Sequence, residues 1–305
     1  MSQWCLIESS LFRLKGSRRR WRVLLPVWVI VFFGGGSIAP ADDTGGSITA
    51  AVDKIRGNLF LMSEAYNQEE GVAQLHQRFL LNPRIKGWSY RIGSEFPLFS
   101  PRNQLSLTFS GHKPDDDSSF GIHDLLLGYQ FQITGGDRLR LLAMASRISL
   151  VIPTGAPLQG ARRGVLGVQL ALPISLDLGR YFSLHFSGDV TLTPGARSSG
   201  DYQELAVDTS GGVGVVYFPF DWMNPLVEVF YQSTEIILDS RESLREGVLQ
   251  ISPGIRFSLE FLNGAQIVPG LAAPIQLGPN GEREYFILGY LSFESPLAFL
   301  SGQIQ

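Results

Sequence analysis

The chain has 305 residues, a formal net charge of −3, 44% hydrophobic residues and 34 glycines, with only 17% charged residues, below the ~25% usual for a soluble protein. That length supports a core without disulfides or metals, and the near-neutral balance argues against a nucleic-acid binder. No apolar run reaches the ~20 residues of a membrane-spanning helix in a mature protein, which excludes a polytopic helical membrane protein and leaves a β-rich soluble protein or a membrane β-barrel.

The first segment reads as an export signal. Arg13, Lys15, Arg18, Arg19, Arg20 and Arg22 form a basic region with one acid, Glu8, and an apolar run from Val23 to Phe33 follows. Gly34-Gly35-Gly36 then leads to the small-residue site Ala39-Pro40-Ala41. A basic head, a short apolar middle and an A-x-A site make a secretory signal peptide; a single anchor helix would need a longer run. Removal of residues 1–41 leaves nineteen bases against twenty-seven acids, net −8, and takes away Cys5, the only cysteine. An exported chain without cysteine has neither disulfides nor a thiol nucleophile, which suits a bacterial envelope protein.

Residues 42–70 are a leader of different character. Ser47 would cap a short helix running through Ile48, Val52, Ile55, Leu59 and Met62, apolar at three- to four-residue spacing. Such a segment is either a periplasmic leader or a plug in a lumen.

From Gly71 onward the period is two. Phe182, Leu184, Phe186, Gly188, Val190 and Leu192 alternate with Ser183, His185, Ser187, Asp189 and Thr191. Leu249 to Phe261 repeats the pattern over thirteen residues, and Leu166 to Leu178 does so again. Twelve strands are expected, near 72–81, 87–98, 103–112, 120–133, 138–152, 164–178, 180–193, 203–218, 224–237, 247–261, 265–277 and 283–294. Strands of this length exceed the ~5–6 residues of a sandwich strand and match the ~9–11 of a tilted spanning strand. One apolar face and one polar face fit lipid outside and a wet lumen inside; a soluble lipocalin-like barrel would invert the two, and periodicity alone does not separate them.

The connectors add an orientation. Short ones (Ser100-Pro101-Arg102, Thr134 to Asp137, Gly179, Leu262-Asn263-Gly264) follow even strands. Longer polar ones (His112 to Ser119, Pro153 to Arg163, Pro194 to Tyr202, Leu238 to Glu246, Gly278 to Glu282) mostly follow odd strands. Short periplasmic turns and longer external loops are the outer-membrane asymmetry, with both termini in the periplasm. Phe96, Phe99, Phe131, Tyr181, Phe182, Tyr217, Phe218, Phe220, Trp222, Phe257, Phe261 and Phe293 fall near the short turns, as an aromatic girdle would.

The second half, over residues 85–295, resembles a family of Gram-negative outer-membrane transporter barrels named after the meta-cleavage pathway of phenol degradation, distantly similar to long-chain fatty-acid channels. The residues that carry the resemblance are Ile152-Pro153-Thr154-Gly155, Ile251-Ser252-Pro253-Gly254-Ile255-Arg256-Phe257, Asn263-Gly264 and Pro269-Gly270-Leu271-Ala272-Ala273-Pro274-Ile275. The resemblance implies passive passage of small, often apolar molecules. The chain departs from many barrels in ending at Gln305 without a terminal aromatic; Phe293 would serve the assembly machinery if 296–305 is a tail.

Alternation nominates Arg91, Glu95, Asp124, Gln130, Gln132, Gln169, Asp177, His185, Asp189, Arg256 and Glu260 as lumen-lining. Acids outnumber bases among them, so a conducting pore would lean towards cations or neutral solutes. A crowded, closed lumen is the bland alternative, since twelve strands enclose a narrow space. His185, Ser187 and Asp189 resemble a base, a nucleophile and an orienter, but side chains at i, i+2 and i+4 run parallel, whereas a triad needs contact within ~3 Å. Asp115-Asp116-Asp117 would be a solvated loop or a site for Ca²⁺ bridging to lipopolysaccharide, and Arg162-Arg163 would meet lipid phosphates. The four histidines have no ligand spacing, and Gly211-Gly212-Val213-Gly214 precedes no helix, so neither a metal site nor a phosphate loop is expected.

The sequence therefore describes an all-β, antiparallel up-and-down transmembrane barrel of about twelve strands: residues 1–41 signal, 42–70 leader or plug, 71–295 barrel and 296–305 tail. The expected role is a passive channel for small molecules in the outer membrane of a Gram-negative bacterium, without cofactor, metal or nucleic acid. Its expected partners are outer-membrane lipids, lipopolysaccharide, a small solute and the barrel-assembly machinery. The alternatives are a structural or adhesive barrel without an open pore, and a lipid hydrolase using His185 and Ser187.

Overall fold

The computed structural model describes residues 57–135, 141–154, 164–197, 203–237, 243–261, 264–278 and 281–296. The expected signal peptide, residues 42–56, the stretch holding Arg162-Arg163 and the residues beyond Pro296 lie outside the described residues.

Twelve antiparallel strands close into a barrel. They are β1 (Val72–Asn82), β2 (Gly87–Leu98), β3 (Ser100–Lys113), β4 (Gly121–Ile122 and Leu125–Thr134), β5 (Leu142–Ile152) and β6 (Gly167–Leu178). The second half comprises β7 (Phe182–Arg197), β8 (Gln203–Tyr217), β9 (Met223–Ile237), β10 (Ser243–Phe257 and Leu259–Glu260), β11 (Gln266–Ala272 and Ile275–Leu277) and β12 (Arg283–Tyr285 and Ile287–Pro296). Each pairs with its neighbours in sequence, and β12 returns to β1 from Val72↔Pro296 to Leu81↔Ile287. Closure removes the free sheet edges, which a chain in lipid must do to satisfy its backbone donors and acceptors.

The expected strands are all present, with different ends. β7 runs on to Arg197 and β10 begins at Ser243, so much of the stretches 194–202 and 238–246 is strand. Polar residues end burial, but they do not end backbone pairing where water covers both faces. At the other end the β2–β3 connection is Phe99 alone, 96% exposed and held at φ 62°.

Side-chain direction separates a membrane barrel from a soluble one. Leu105, Phe109, Tyr129, Phe131, Ile148, Leu150, Leu170, Leu172, Phe186, Val227, Val229 and Ile251 are exposed, while Gln104, Ser106, Gln130, Gln132, Ser149, Gln169, Ser187, Glu228 and Ser252 are buried. Apolar groups outside and polar groups inside invert the soluble arrangement. Exposed rings gather at the short-turn end, where Phe182 stacks on Tyr217 (5.0 Å), Phe220 on Trp222 (5.6 Å) and Trp222 on Phe257 (6.3 Å). Phe218 is a correction to the expected girdle: it is 4% exposed and belongs to the interior apolar cluster.

That cluster exists because a chain segment lies inside the barrel. Residues 57–71 precede β1 and place Leu59, Phe60 and Met62 against Val216, Phe218, Leu226, Phe230, Val268, Ala272, Leu288 and Tyr290. No helix forms over 57–62, contrary to the expected helix reaching Met62; residues 48–56 lie outside the described part. The segment is irregular because its backbone donors go to side chains, those of the wall and of its own Glu64, instead of to carbonyls four residues back.

Candidate functional site: the bore and the segment within it

Inward-pointing side chains of nearly every strand meet the segment. Glu228 on β9 is fully buried, and its carboxylate accepts three successive backbone N–H groups: Phe60 at 3.0 Å, Leu61 at 2.8 Å and Met62 at 3.1 Å. Successive amides converging on one anion form a nest. Within the segment the Glu64 carboxylate does the same for the N–H groups of Asn58 (2.8 Å) and Leu59. Burial pushes the Glu64 carboxyl up to about 7, against the pull of the Leu59 N–H, Arg256 and the Asn58 N–H.

The other contacts run around the bore. Arg256 on β10 donates to the carbonyl of Gly57. The side-chain oxygen of Asn58 accepts from Gln74 of β1 (2.7 Å) and from the Tyr290 hydroxyl of β12 (2.5 Å). Ala65 N–H donates to Ser175 of β6, Asn67 N–H to Gln132 of β4 and Gln68 N–H to Gln104 of β3, at 3.3, 3.4 and 2.7 Å. Contacts on β1, β3, β4, β6, β9, β10 and β12 carry the segment across the lumen, so it fills the bore and does not line one side.

Glycines in the wall make the room. An added Cβ at Gly254 or Gly270 would stand 2.6 Å from the Phe60 ring, and one at Gly212 would stand 3.0 Å from the Met62 sulfur. In β8 the neighbouring strands crowd the glycines as well: an added Cβ at Gly212 would stand 2.5 Å from the Val229 carbonyl oxygen, and one at Gly211 3.1 Å from that of Ser187.

A polar cavity of about 30 Å³ remains beside it, bounded by Ser63, Glu64, His76, Arg78, Glu95 and Arg147 among others; that volume suits about one or two waters. Glu95 and Arg147 form an ion pair at 3.0 Å, each side chain 12% exposed, and Gln104 donates to the same carboxylate at 2.8 Å.

The nominated lumen residues are placed as follows. Gln130, Gln132, Gln169, His185 and Arg256 are buried, as is Asp124 at the break in β4. Arg91 is half-buried and opposite Arg78 in register, and Glu95, Asp177 and Asp189 are half-buried too. Glu260 is exposed at the short-turn mouth, where Gln266 donates to it at 3.3 Å. Among these, Arg256, Gln130 and Gln132 touch the segment, whereas Gln169 and Asp189 bond each other at 3.0 Å farther along the bore.

The structure does not assemble the hydrolytic set. The hydroxyls of Ser175 and Ser183 bond the two ring nitrogens of His185 at 2.9 and 2.8 Å, and Asp189 is engaged by Gln169 and Ser210. In the acidic loop Asp116 bridges to Lys86 at 2.7 Å, which holds its carboxyl below the usual range, and Asp115 accepts the N–H groups of Asp117 and Ser118 at 3.0 and 2.7 Å. Lysine and backbone donors occupy these carboxylates, and no group of three metal-ligating residues occurs among the described residues.

Sequence reasoning missed Glu228, Glu64, Asn58, Gln74, Arg147 and Tyr290. Glu228 alternates with Leu226 and Phe230 on the inward face, and those apolar neighbours hid the polar parity. They face inward because Leu59, Phe60 and Met62 cover them.

No protein-family model matches the chain, and no curated protein does. Among solved structures the barrel is similar to the COG4313 outer membrane channel from Pseudomonas putida F1, with a TM-score of 0.54 at 13% identity over 76% of this chain and 97% of that one. The NanC porin aligns with a TM-score of 0.45 at 9% identity over 72% and 98%, and the channel DcaP of Acinetobacter baumannii with 0.37 at 7% over 76% and 99%. At such identities the likeness concerns the fold. The chain has the fold of a bacterial outer-membrane channel barrel.

Proposed function

We propose that the chain is a passive outer-membrane channel for small molecules, apolar ones among them, whose bore is shut by residues 57–71 and opens when that segment loosens. The observation that carries this reading is the manner of attachment: the segment crosses a polar bore with its backbone held by side chains of the wall, above all Glu228, and not by strand pairing. Side-chain bonds let go one at a time, and water and polar lining are ready to replace them. A structural filler would be better fixed as an added strand. Orientation follows the outer-membrane rule: short turns and termini in the periplasm, long hairpins outside, lipid and lipopolysaccharide around the apolar belt.

The test is a reversible lock. Ala65→Cys with Ser175→Cys joins segment to wall where the backbone already lies 3.3 Å from the serine oxygen, and the only native cysteine is Cys5. Recorded in planar bilayers, the folded, heat-modifiable pair variant should conduct when reduced and fall silent when oxidised. Equal current in both states would reject gating by the segment. No current from any folded form would leave the structural barrel as the reading.

A further inference from the structure

Two arginines stand side by side on the inner wall. Arg78 of β1 is directly opposite Arg91 of β2 in the ladder, and Arg91 is directly opposite Ser110 of β3. Direct partners in a ladder share a face with their Cβ atoms about 5 Å apart, and like charges in that relation repel. The shared face is the inner one. Arg78 bounds the polar cavity beside the segment, and the guanidinia of Arg78, Arg91 and Arg147 all act on His76, whose ring takes the room that Gly93 leaves. The Ser110 hydroxyl completes the row. That residue is 7% exposed, and its oxygen has no hydrogen-bond partner among the described residues. A buried hydroxyl that bonds nothing costs stability, and two guanidinia in register add a repulsion. One oxyanion lying across the three strands removes both costs.

The row sits towards the outside. Arg91 precedes Glu95 by four residues on β2, about 13 Å along the strand in the direction of the loop end. On the flanking strands the segment bonds Gln74 of β1 and Gln104 of β3, both on the short-turn side of the row. Arg91 and Ser110 therefore face the loop-side bore with the segment in place, and Arg91 is only half-buried. Arg78 also stands in the field of Glu228, Glu64 and Glu95. Those carboxylates oppose a dianion such as phosphate more than they oppose a monoanion.

We propose that Arg91, Arg78 and Ser110 form an oxyanion subsite on the loop side of the segment, and that its ligand is a small monocarboxylate. A planar carboxylate takes paired N–H donors from a guanidinium and still accepts from a hydroxyl. The proposal rests on the reading of the barrel as a small-molecule channel and names a solute class. That class runs against the cation or neutral preference implied by counting acids and bases along the lumen.

Saturation-transfer NMR on the methyl protons of acetate, with the folded protein in micelles, tests it. Acetamide, ethylammonium and inorganic phosphate are the comparison probes, the last as a competitor. Acetate should bind about tenfold or more tightly than the neutral or the cationic probe, the scale of a charge-assisted contact, and phosphate should displace it only in excess. Arg91→Gln should weaken acetate about tenfold and Ser110→Ala about threefold. Ser110→Ala should leave the heat-modifiable shift on a gel where it was or raise it, because the hydroxyl has no bond to lose. In bilayers a potassium acetate gradient should give a reversal potential displaced towards acetate, and Arg91→Gln should move it towards potassium. Acetate that binds no better than acetamide, or equally well to the native chain and to Arg91→Gln, would overturn the site. Tighter binding of phosphate would overturn the carboxylate assignment. Acetate binding by a barrel that never conducts keeps the site and sinks the channel reading; conduction without acetate binding sinks the site alone.

Discussion

The Glu228 carboxylate and the Leu61 amide meet at 2.8 Å inside the barrel, flanked by the amides of Phe60 and Met62 on the same two oxygens. Glu228→Ala would leave three buried N–H groups without an acceptor, each costing about 1–3 kcal/mol. The segment should then spend at least one hundredfold more of its time undocked, on the order of the ~3 kcal/mol that the lower bound of those costs gives. Amide hydrogen exchange over 57–70 should accelerate while the strands stay protected, and bilayer current should rise. Unchanged exchange would remove Glu228 as the latch.

Gly270 and Phe60 fit only while the glycine lacks a side chain, since an added Cβ would sit 2.6 Å from the ring. Gly270→Ala should loosen the segment with an overpacking cost of about 1–3 kcal/mol. Phe60→Ala in the same background should recover part of the loss, because it removes the clash partner. A double-mutant cycle read by hydrogen exchange checks this; simple additivity would mean that the two positions do not meet.

The Glu64 carboxyl, raised to about 7 by burial, faces Arg256 and Glu95 across the bore. A carboxyl raised in the docked state contributes docking stability that is complete below the free value of 4.5 and is lost as pH climbs through about 7. Current through the channel should therefore increase with pH across the window from 4.5 to about 7 and level off above it. Glu64→Gln should flatten the profile. A current that grows on acidification would reverse the assignment.

The Glu95–Arg147 ion pair crosses from β2 to β5 with both side chains 12% exposed. Glu95→Gln would strand a buried guanidinium, a loss of about 3–5 kcal/mol. The heat-modifiable shift of the folded barrel on a gel should move to lower temperature, and Glu95→Gln with Arg147→Met should restore much of it. Equal melting of the single variant and the native chain would show that water already screens the pair.

The barrel was legible in the sequence because period-two alternation survives wherever lipid lies on one side and polar lumen on the other. Ser183, His185 and Ser187 against Phe182, Leu184 and Phe186 is the clearest stretch. Legibility failed where the lumen is filled by the chain itself. There Leu226 and Phe230 face inward with Glu228 between them, and Phe218 turns from the expected girdle into the core. Leu59 and Met62 sit at a helical spacing, yet the amides around them bond Glu64 and Glu228. Glu228 lies 166 positions beyond Met62, out of reach of any local pattern. Arg256, nominated by alternation, is buried, and its task, holding the carbonyl of Gly57, belongs to a pairing across 199 positions.

That distance sets an order of events. Leu61 and Glu228 are separated by 167 positions, and Asn58 and Tyr290 by 232. The part of the described chain that is made first finds its partners on the strands that are made last. Until β9 to β12 exist, Leu59-Phe60-Leu61-Met62 has no home and remains an exposed apolar stretch prone to association. Once β12 zips to β1 the bore is sealed around whatever it contains. Stopper and vessel are therefore finished in a single late step, with the slow kinetics that such long-range contacts impose.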